Sequence, residues 1–309
     1  MGLDFFCFGG YLPTVVLSKE QIQSFHTNGF LTIEAISPPE EIAVLRDVFE
    51  RLLKTRAGFN EGAQFDLVGG GEESSVPKLL QILNPINYAP ELRNTFFRIN
   101  AIAIAKQLLG EEASPFFEHA ILKPARSGRP MPWHQDEAYR FEPDFEYKQL
   151  GIWMPLQPAT LENGCMHYIP GSNHREVLPH RSANNDPKIH ALECCGDFNP
   201  ADAVACLIPA GGCTIHDGRT LHYSGQNHSD APRWAYILDF DLPPARRTEK
   251  RDFPWHHEKQ SADLIRKREW LRKGGFIVES WRMIRRGVPM NRGRLAYFMR
   301  RLGRALSKR

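Results

Sequence analysis

Between Pro115 and Leu242 the chain consists of short apolar runs separated by clusters of Pro, Gly, Asn and Asp. These runs are Phe116–Leu122, Leu150–Leu156, Cys165–Ile169, Val204–Ile208, Cys213–His216 and Trp234–Phe240. They are too short for ordinary helices, whereas runs of this length bounded by turn residues are typical of strands. Several short strands at this spacing favour an antiparallel β-sandwich or barrel of jelly-roll type. The predicted fold is therefore mainly β over about 115–242.

Helical patterns flank this region on both sides. Ser18–Gln21 reads as a capping box, and the helix that it opens is expected to end at Asn28-Gly29. A second helix is predicted to begin at Ser37–Glu40, and a third to run from about Glu91 to Leu109. After Pro243-Pro244 the chain becomes polar and helical in pattern. Residues 57–75 are predicted to form a mobile loop.

Composition excludes several classes of protein. No apolar run approaches the roughly 18–20 residues needed to cross a bilayer, and the first ten residues lack the positive charge of a secretory signal. None of the six cysteines forms a Cys-x-x-Cys pair, and two of them are adjacent. This pattern argues against a zinc ribbon or a disulfide framework, so reduced thiols in a cytoplasmic protein are expected.

The positive charge is concentrated at the C-terminal end. The whole chain carries +3 at pH 7, and residues 281–309 contain ten Lys or Arg with no Asp or Glu, so residues 1–280 carry −7. One helical face of the tail is apolar, and comprises Leu295, Phe298, Met299, Leu302, Ala305 and Leu306. Such a helix could lie on the inner face of a membrane or dock an acidic partner, but it could equally pack on the body. No nucleic-acid partner is expected.

The first motif that indicates chemistry is His134-Gln135-Asp136. In an extended chain, residues two apart point to the same side, so the imidazole of His134 and the carboxylate of Asp136 project together. They would form two-thirds of a 2-His-1-carboxylate triad of the kind that binds non-haem Fe(II). A His-x-Asp pair alone is weak evidence, because it also occurs in surface loops.

A third ligand is predicted at His222. His216 and His228 are the competing candidates, but only His222 has Ser224 two residues later and Arg233 eleven residues later. Arg233 begins the last apolar strand, from which a guanidinium can bind the distal carboxylate of 2-oxoglutarate through a bidentate pair. Ser224 would face the same way as His222 and add a hydrogen bond. Alternatively, Arg233 could form a structural ion pair.

Taken in order, these motifs resemble the phytanoyl-CoA dioxygenase family. The resemblance rests on His134-x-Asp136, on Asn163-Gly-Cys165 leading to Ile169-Pro-Gly-Ser172, and on His222-x-Ser224 with Arg233. It covers about residues 18–242. It implies a double-stranded β-helix core of the jelly-roll or cupin-like kind, with a helical N-terminal region. We therefore predict a dioxygenase domain over 1–245, followed by a basic helical extension over 246–309 for which the resemblance offers no counterpart.

The resemblance also implies the cofactors and further site residues. Fe(II) would be held by His134, Asp136 and His222, with 2-oxoglutarate and O2 as co-substrates. Further residues would bind the co-substrate or line the substrate pocket. For the co-substrate these are Arg233, Ser224, Lys78 and Trp153. His119 falls where the family can place Met beside the co-substrate. Apart from the resemblance, Trp133 and Tyr139 lie next to the metal motif in the chain and, with His119, are the candidates to line the substrate pocket. The aromatic residues could equally be core, and His119 could be a hydrogen-bonded structural histidine.

The implied reaction is hydroxylation of an unactivated C–H bond of a small-molecule or lipid-like substrate, with release of succinate and CO2. Two alternatives remain open. One is a metal-bearing cupin-type enzyme that is not an oxygenase, and the other is a catalytically silent binding module. Neither would require Arg233 to bind 2-oxoglutarate.

Overall fold

The computed structural model describes residues 15–69, 78–126, 129–140 and 142–285. In these ranges the α-helices are α1 (Lys19–Asn28), α2 (Pro39–Lys54), α3 (Phe96–Leu109), α4 (Ala262–Trp270) and α5 (Phe276–Arg285). The strands are β1 (Phe30–Ile33), β2 (Gln64–Asp66), β3 (Leu80–Leu83), β4 (Ser114–Lys123), β5 (Met131–His134), β6 (Phe145–Glu146), β7 (Gln149–Pro155), β8 (Met166–Tyr168), β9 (His180–Ser182), β10 (Leu192–Cys194), β11 (Val204–Cys206), β12 (Cys213–Asp217), β13 (His222–Ser224), β14 (Arg233–Asp241) and β15 (Ala245–Arg246).

Two antiparallel sheets form the core of the described chain. The larger has the strand order β1-β12-β7-β14-β4-β3-β2, and the smaller has the order β11-β8-β13-β5. Each of the six apolar runs predicted to be a strand overlaps one of these strands. The mainly β prediction is therefore confirmed. Non-consecutive neighbours such as β7 and β14 show that the pairing is between strands distant in the chain.

The two faces of β14 pack against different layers. Trp234 and Tyr236 pack with the helices in the main hydrophobic core, whereas Ala235 and Ile237 pack with residues of the smaller sheet. Because successive strand residues point to opposite faces, Arg233 lies on the side of Ala235, between the sheets. This alternation brings a charged residue into the interior of the β core.

The N-terminal helices cover the outer face of the large sheet. The Ser18 hydroxyl accepts from the Gln21 N–H and the Gln21 side chain accepts from the Ser18 N–H, which is the capping box that the sequence indicates. Gly29 ends α1 with φ +82°, and a Cβ there would lie 2.4 Å from Thr220 Oγ1. Only glycine combines this backbone conformation with so close an approach to the segment before His222.

Helix α3 begins later than predicted. Residues 90–94 form a 3₁₀ turn, and α3 starts after Thr95, whose side chain accepts from the Arg98 N–H. The Glu41 carboxylate accepts hydrogen bonds from the Phe96 and Phe97 N–H groups at 2.6 and 2.9 Å. These contacts satisfy free N–H groups of the first turn, and they come from a residue too distant in the chain to be visible in the local sequence.

The predicted loop over 57–75 is partly wrong. Gln64–Asp66 is a strand that pairs antiparallel with β3 at the edge of the large sheet. The Asp66 carboxylate accepts from the Lys78 and Leu79 N–H groups. Residues 70–75 of that loop lie outside the described residues.

The chain beyond β14 contacts the β core. Trp255 Nε1 and His256 Nε2 both donate to the Ala138 carbonyl, at 2.9 and 2.8 Å. Arg282 of α5 pairs with Glu61. The division at residue 245 stays a prediction, and residues 286–309, which hold most of the predicted basic tail, lie outside the described residues. Within the described ranges, no helix has the length and apolar character that spanning a bilayer requires.

Candidate active site

The sheets bring His134, Asp136 and His222 together. His134 ends β5 and His222 begins β13, and the two residues are paired directly across the smaller sheet, with ring centroids 4.1 Å apart. Their Nε2 atoms lie 3.5 and 3.6 Å from Asp136 Oδ1. One ligand atom from each residue falls within 4.8 Å of the others, and no other group of described residues forms such a cluster. The arrangement fits one metal ion.

Hydrogen bonds fix which nitrogen each histidine offers. His134 Nδ1 donates to the Pro132 carbonyl at 2.7 Å, and His222 Nδ1 donates to the Thr220 carbonyl at 2.9 Å. With the proton on Nδ1, each Nε2 carries a free lone pair directed at the cluster. Backbone carbonyls therefore orient both imidazoles for metal binding.

The electrostatics also favour the ligating forms. Burial lowers the pKa of His222 well below its ordinary value, with a further contribution from the neighbouring His134. Burial alone would raise the pKa of Asp136, but the neighbouring His222 and the hydrogen bond from His216 outweigh it and hold that pKa well below the usual range. A neutral imidazole and an ionised carboxylate are the states that bind a metal ion.

His216 holds the second oxygen of Asp136. Its Nε2 donates to Asp136 Oδ2 at 2.8 Å, and its Nδ1 accepts from the Tyr168 hydroxyl at 3.3 Å. Tyr168 is in turn hydrogen-bonded to Thr214 Oγ1 at 2.6 Å. From the sequence, His216 competed with His222 as a ligand. In the structure it is placed to orient the carboxylate, so that Oδ1 faces the two Nε2 atoms.

Replacing His216 by Phe is expected to weaken metal binding about 10-fold or more, because Asp136 loses the donor that fixes its orientation. The dissociation constant for Mn(II), measured by titration calorimetry without co-substrate, checks this. His216→Asn, which keeps a donor, should restore part of the affinity. An unchanged constant in His216→Phe would show that the hydrogen bond does not position Asp136.

Arg233 is a buried cation without a counter-ion in the described chain. It is 1% exposed, and its Nε and Nη1 atoms have no hydrogen-bond partner among the described residues. The guanidinium lies over the Trp153 ring, 5.1 Å from the centroid. Burial lowers its pKa to about 10. Buried polar groups are almost always hydrogen-bonded, so these free donors indicate a site for an anion such as a carboxylate.

Lys123 is a second buried cation, and the sequence analysis missed it. It lies on β4 directly opposite Arg233 and is completely buried. Its Nζ donates to the Ser224 carbonyl and hydroxyl at 2.8 Å each, and to the Gly225 carbonyl. The Ser224 hydroxyl itself donates to the Gly164 carbonyl. Lys123 thus holds β13, the strand that carries His222, through hydrogen bonds to its end. The Ser224 hydroxyl is already bonded to Lys123 and to the Gly164 carbonyl.

A signal for Lys123 was present in the sequence. It ends an alternating apolar strand, and positions 119, 121 and 123 share one face. What the sequence lacks is the register that pairs this position with Arg233. Burial lowers the pKa of Lys123 well below its ordinary value, and the charge of Arg233 adds to the effect.

The other predicted site residues lie in different places. The Lys78 N–H donates to Asp66, and its ammonium has no partner among the described residues. Trp133 stacks on Tyr223 and meets Phe198. Strand alternation places it on the opposite face from His134. This position gives no support to a pocket role for Trp133.

Tyr139 and His119 are near the metal cluster. The Tyr139 ring meets His134 edge-on at 5.8 Å, and its hydroxyl accepts from the Leu192 N–H. His119 accepts at Nδ1 from Gln81 Nε2 at 2.6 Å, and its Nε2 lies 3.6 Å from Asp239 Oδ2. Burial lowers the pKa of His119 to about 4.

Asp239 was not predicted from the sequence. It lies on the interior face of β14, and burial together with the charge of Asp136 raises its pKa well above the usual range. The alternation of β14 would have indicated its direction, because positions 233, 235, 237 and 239 share a face.

Comparison with known proteins identifies the family. A model described as phytanoyl-CoA dioxygenase matches residues 25–235. The chain is 30% identical over 227 residues to a probable alpha-ketoglutarate-dependent hypophosphite dioxygenase of Stutzerimonas stutzeri, with 72% of this chain and 77% of that protein covered. It is 26% identical to an ectoine dioxygenase of Bordetella bronchiseptica, with 70% and 73% covered.

Solved structures give the same relationship. EvdO2 from Micromonospora carbonacea var. aurantiaca, solved in complex with 2-oxoglutarate, is 37% identical with a TM-score of 0.67. The match covers 78% of this chain and 98% of EvdO2. EctD from S. alaskensis, at 21% identity and a TM-score of 0.56, shares the fold. The resemblance detected in the sequence is confirmed, and the chain belongs to the phytanoyl-CoA dioxygenase family.

Proposed function

We propose that this 2-oxoglutarate-dependent dioxygenase binds Fe(II) through His134, Asp136 and His222 and anchors 2-oxoglutarate on Arg233. The product is a hydroxylated small molecule, formed with succinate and CO2. The enzyme class and the need for Fe(II), 2-oxoglutarate and O2 follow from the family. The roles of the individual residues are our proposal.

One observation carries this assignment. The Arg233 guanidinium keeps two free donor atoms in a buried position between the same two sheets that hold the metal cluster. A planar guanidinium with adjacent free N–H groups matches a carboxylate in geometry and charge. Neither alternative, a cupin-type metal enzyme that does not use 2-oxoglutarate or a silent binding module, requires a buried guanidinium with donors available to a carboxylate.

We assign a separate role to each group of residues in the site. When bound, iron with 2-oxoglutarate and O2 supplies the oxidation, in which one oxygen atom goes to succinate and the other to the substrate. The two imidazoles and the carboxylate would hold the metal ion with three ligand atoms, a set that leaves room for the co-substrate. Arg233 and Trp153, both buried, hold the co-substrate and exclude water from its distal carboxylate. His216 keeps Asp136 in its ligating orientation.

The test is anaerobic addition of Fe(II) and 2-oxoglutarate to the metal-free protein. We expect the weak visible charge-transfer band of Fe(II) chelated by a 2-oxo acid, followed by succinate formation when O2 is admitted. Fe(II) alone is the control and should give no band. A folded protein that gives no band would contradict the proposal and leave the cupin-type reading ahead.

The substrate is proposed to be a small molecule. The lipid-like character predicted from the sequence stays a prediction. So does contact of residues 281–309 with a membrane or an acidic partner.

A further inference from the structure

The two ends of the site differ in access to solvent. The side chains of Asp136, His119 and Asp239 are 29, 17 and 13% exposed. Arg233 and Trp153, by contrast, are 1 and 4% exposed. Among the described residues, the co-substrate end is therefore the more closed of the two. We take the more accessible end, where Asp136, His119 and Asp239 lie, as the open side on which the substrate is expected to bind.

Asp239 borders the metal cluster through Gly151. A Cβ on Gly151 would lie 3.0 Å from both Asp239 Oδ1 and His216 Nε2. Because His216 Nε2 is the atom that donates to Asp136, the Asp239 carboxyl is separated from the metal ligands by a single side chain. Only glycine at 151 allows these two groups to converge over the strand.

The Asp239 carboxyl has no hydrogen bond among the described residues. The one basic group of the described residues found within 4 Å of it is His119 Nε2 at 3.6 Å, which is beyond hydrogen-bonding distance. By contrast Asp241, two residues along the same strand, pairs with Arg140 at 3.2 Å. A carboxyl group in a largely buried position without a partner is costly, so Asp239 is expected to take one from a ligand.

Gln81 fixes the orientation of the His119 ring beside Asp239. Its Nε2 donates to His119 Nδ1, which leaves the proton of His119 on Nε2, facing Asp239. The Gln81 Oε1 atom is buried and has no partner among the described residues. In this row of three side chains the donors are directed at one another: Gln81 Nε2 at His119, and His119 Nε2 at Asp239. Two acceptors remain, Gln81 Oε1 and the Asp239 carboxyl. A ligand group that donates a hydrogen bond would satisfy them.

We propose that Asp239, aligned by Gln81 and His119, binds a hydroxyl or amino group of the substrate. The oxidised molecule is then a polar compound that carries such a group close to the reacting carbon, rather than an alkyl chain. This inference rests on the proposed function, because it assigns the substrate side of the same site.

The experiment uses the full chain loaded with Fe(II) and 2-oxoglutarate. The probes are six-membered rings that differ in their polar group. Cyclohexanol and inositol form the hydroxyl series, cyclohexylamine represents the amino series, and methylcyclohexane is the apolar control. Two readouts apply, namely succinate formed above the rate without probe, and the shift of the anaerobic charge-transfer band on adding the probe. We expect a response to the hydroxyl or the amino series, and the two series distinguish the two groups.

Variants then assign the response to Asp239. Asp239→Leu should raise the KM for the active probe about tenfold or more, because the hydrogen bond between the probe and the carboxyl is lost, whereas Asp239→Asn keeps an acceptor oxygen and should raise it less. The dissociation constants for metal and 2-oxoglutarate should stay unchanged in both. A response to methylcyclohexane alone, no response to any polar probe, or an unchanged KM in Asp239→Leu would overturn the inference. Failure of the proposed function would differ, because the wild-type protein would then give no band at all.

Discussion

Arg233→Ala is expected to weaken 2-oxoglutarate binding by about 100-fold or more. A carboxylate buried opposite alanine loses its charged partner, which costs about 3–5 kcal/mol, and each 1.4 kcal/mol or so is a factor of ten in affinity. Arg233→Lys keeps the charge but not the fork of two N–H groups, so its affinity should fall between those of the wild type and the alanine variant. The measurement is the dissociation constant from anaerobic titration of the charge-transfer band.

The free energy of unfolding of Arg233→Ala distinguishes co-substrate binding by Arg233 from a role in a structural ion pair. Without co-substrate, Arg233 is a buried cation with free donors, so Arg233→Ala should leave the free energy of unfolding unchanged or raise it. A structural ion pair would instead be lost, and the protein would be destabilised. Mn(II) binding is the control and should not change. Destabilised protein with unaltered affinity for 2-oxoglutarate would contradict the assignment.

His222→Ala is expected to remove metal binding at micromolar concentrations. Two remaining ligands, His134 and Asp136, cannot hold the ion in place, and the loss of one imidazole opens the buried site to water. In the wild type, metal at 100 times its dissociation constant should add about 2.7 kcal/mol to the free energy of unfolding. The variant should show no such gain. Thermal unfolding with and without Mn(II), together with calorimetric titration, measures both effects.

His228→Ala is the matched control for His222→Ala. His228 lies six residues later and is exposed, with its backbone N–H bonded to the Glu162 carbonyl. Its replacement should leave the metal-induced stabilisation intact. If His222→Ala kept the same stabilisation, His216 would have to be the third ligand, because its Nε2 is 2.8 Å from Asp136.

The sequence by itself determined the elements and the candidate ligands. Short apolar runs bounded by turn residues indicated the strands, and two motifs, His134-x-Asp136 and His222 with Ser224 and Arg233, indicated the chemistry. These signals are local, since each motif depends on residues no more than about a dozen positions apart. The same local signals placed the start of the third helix near Glu91. There the distant carboxylate of Glu41 and the cap at Thr95 move the start to Phe96.

The tertiary structure alone decided which interior residues meet. Sheet register sets Lys123 opposite Arg233 and His222 opposite His134, across separations of about a hundred residues. The structure also shows that His216, a competing ligand in the sequence, is the hydrogen-bond partner of Asp136. Asp239 lies beside His119 at the open side of the site. The physical reason is that alternation tells which face a side chain occupies, but only pairing between distant strands tells what lies across from it.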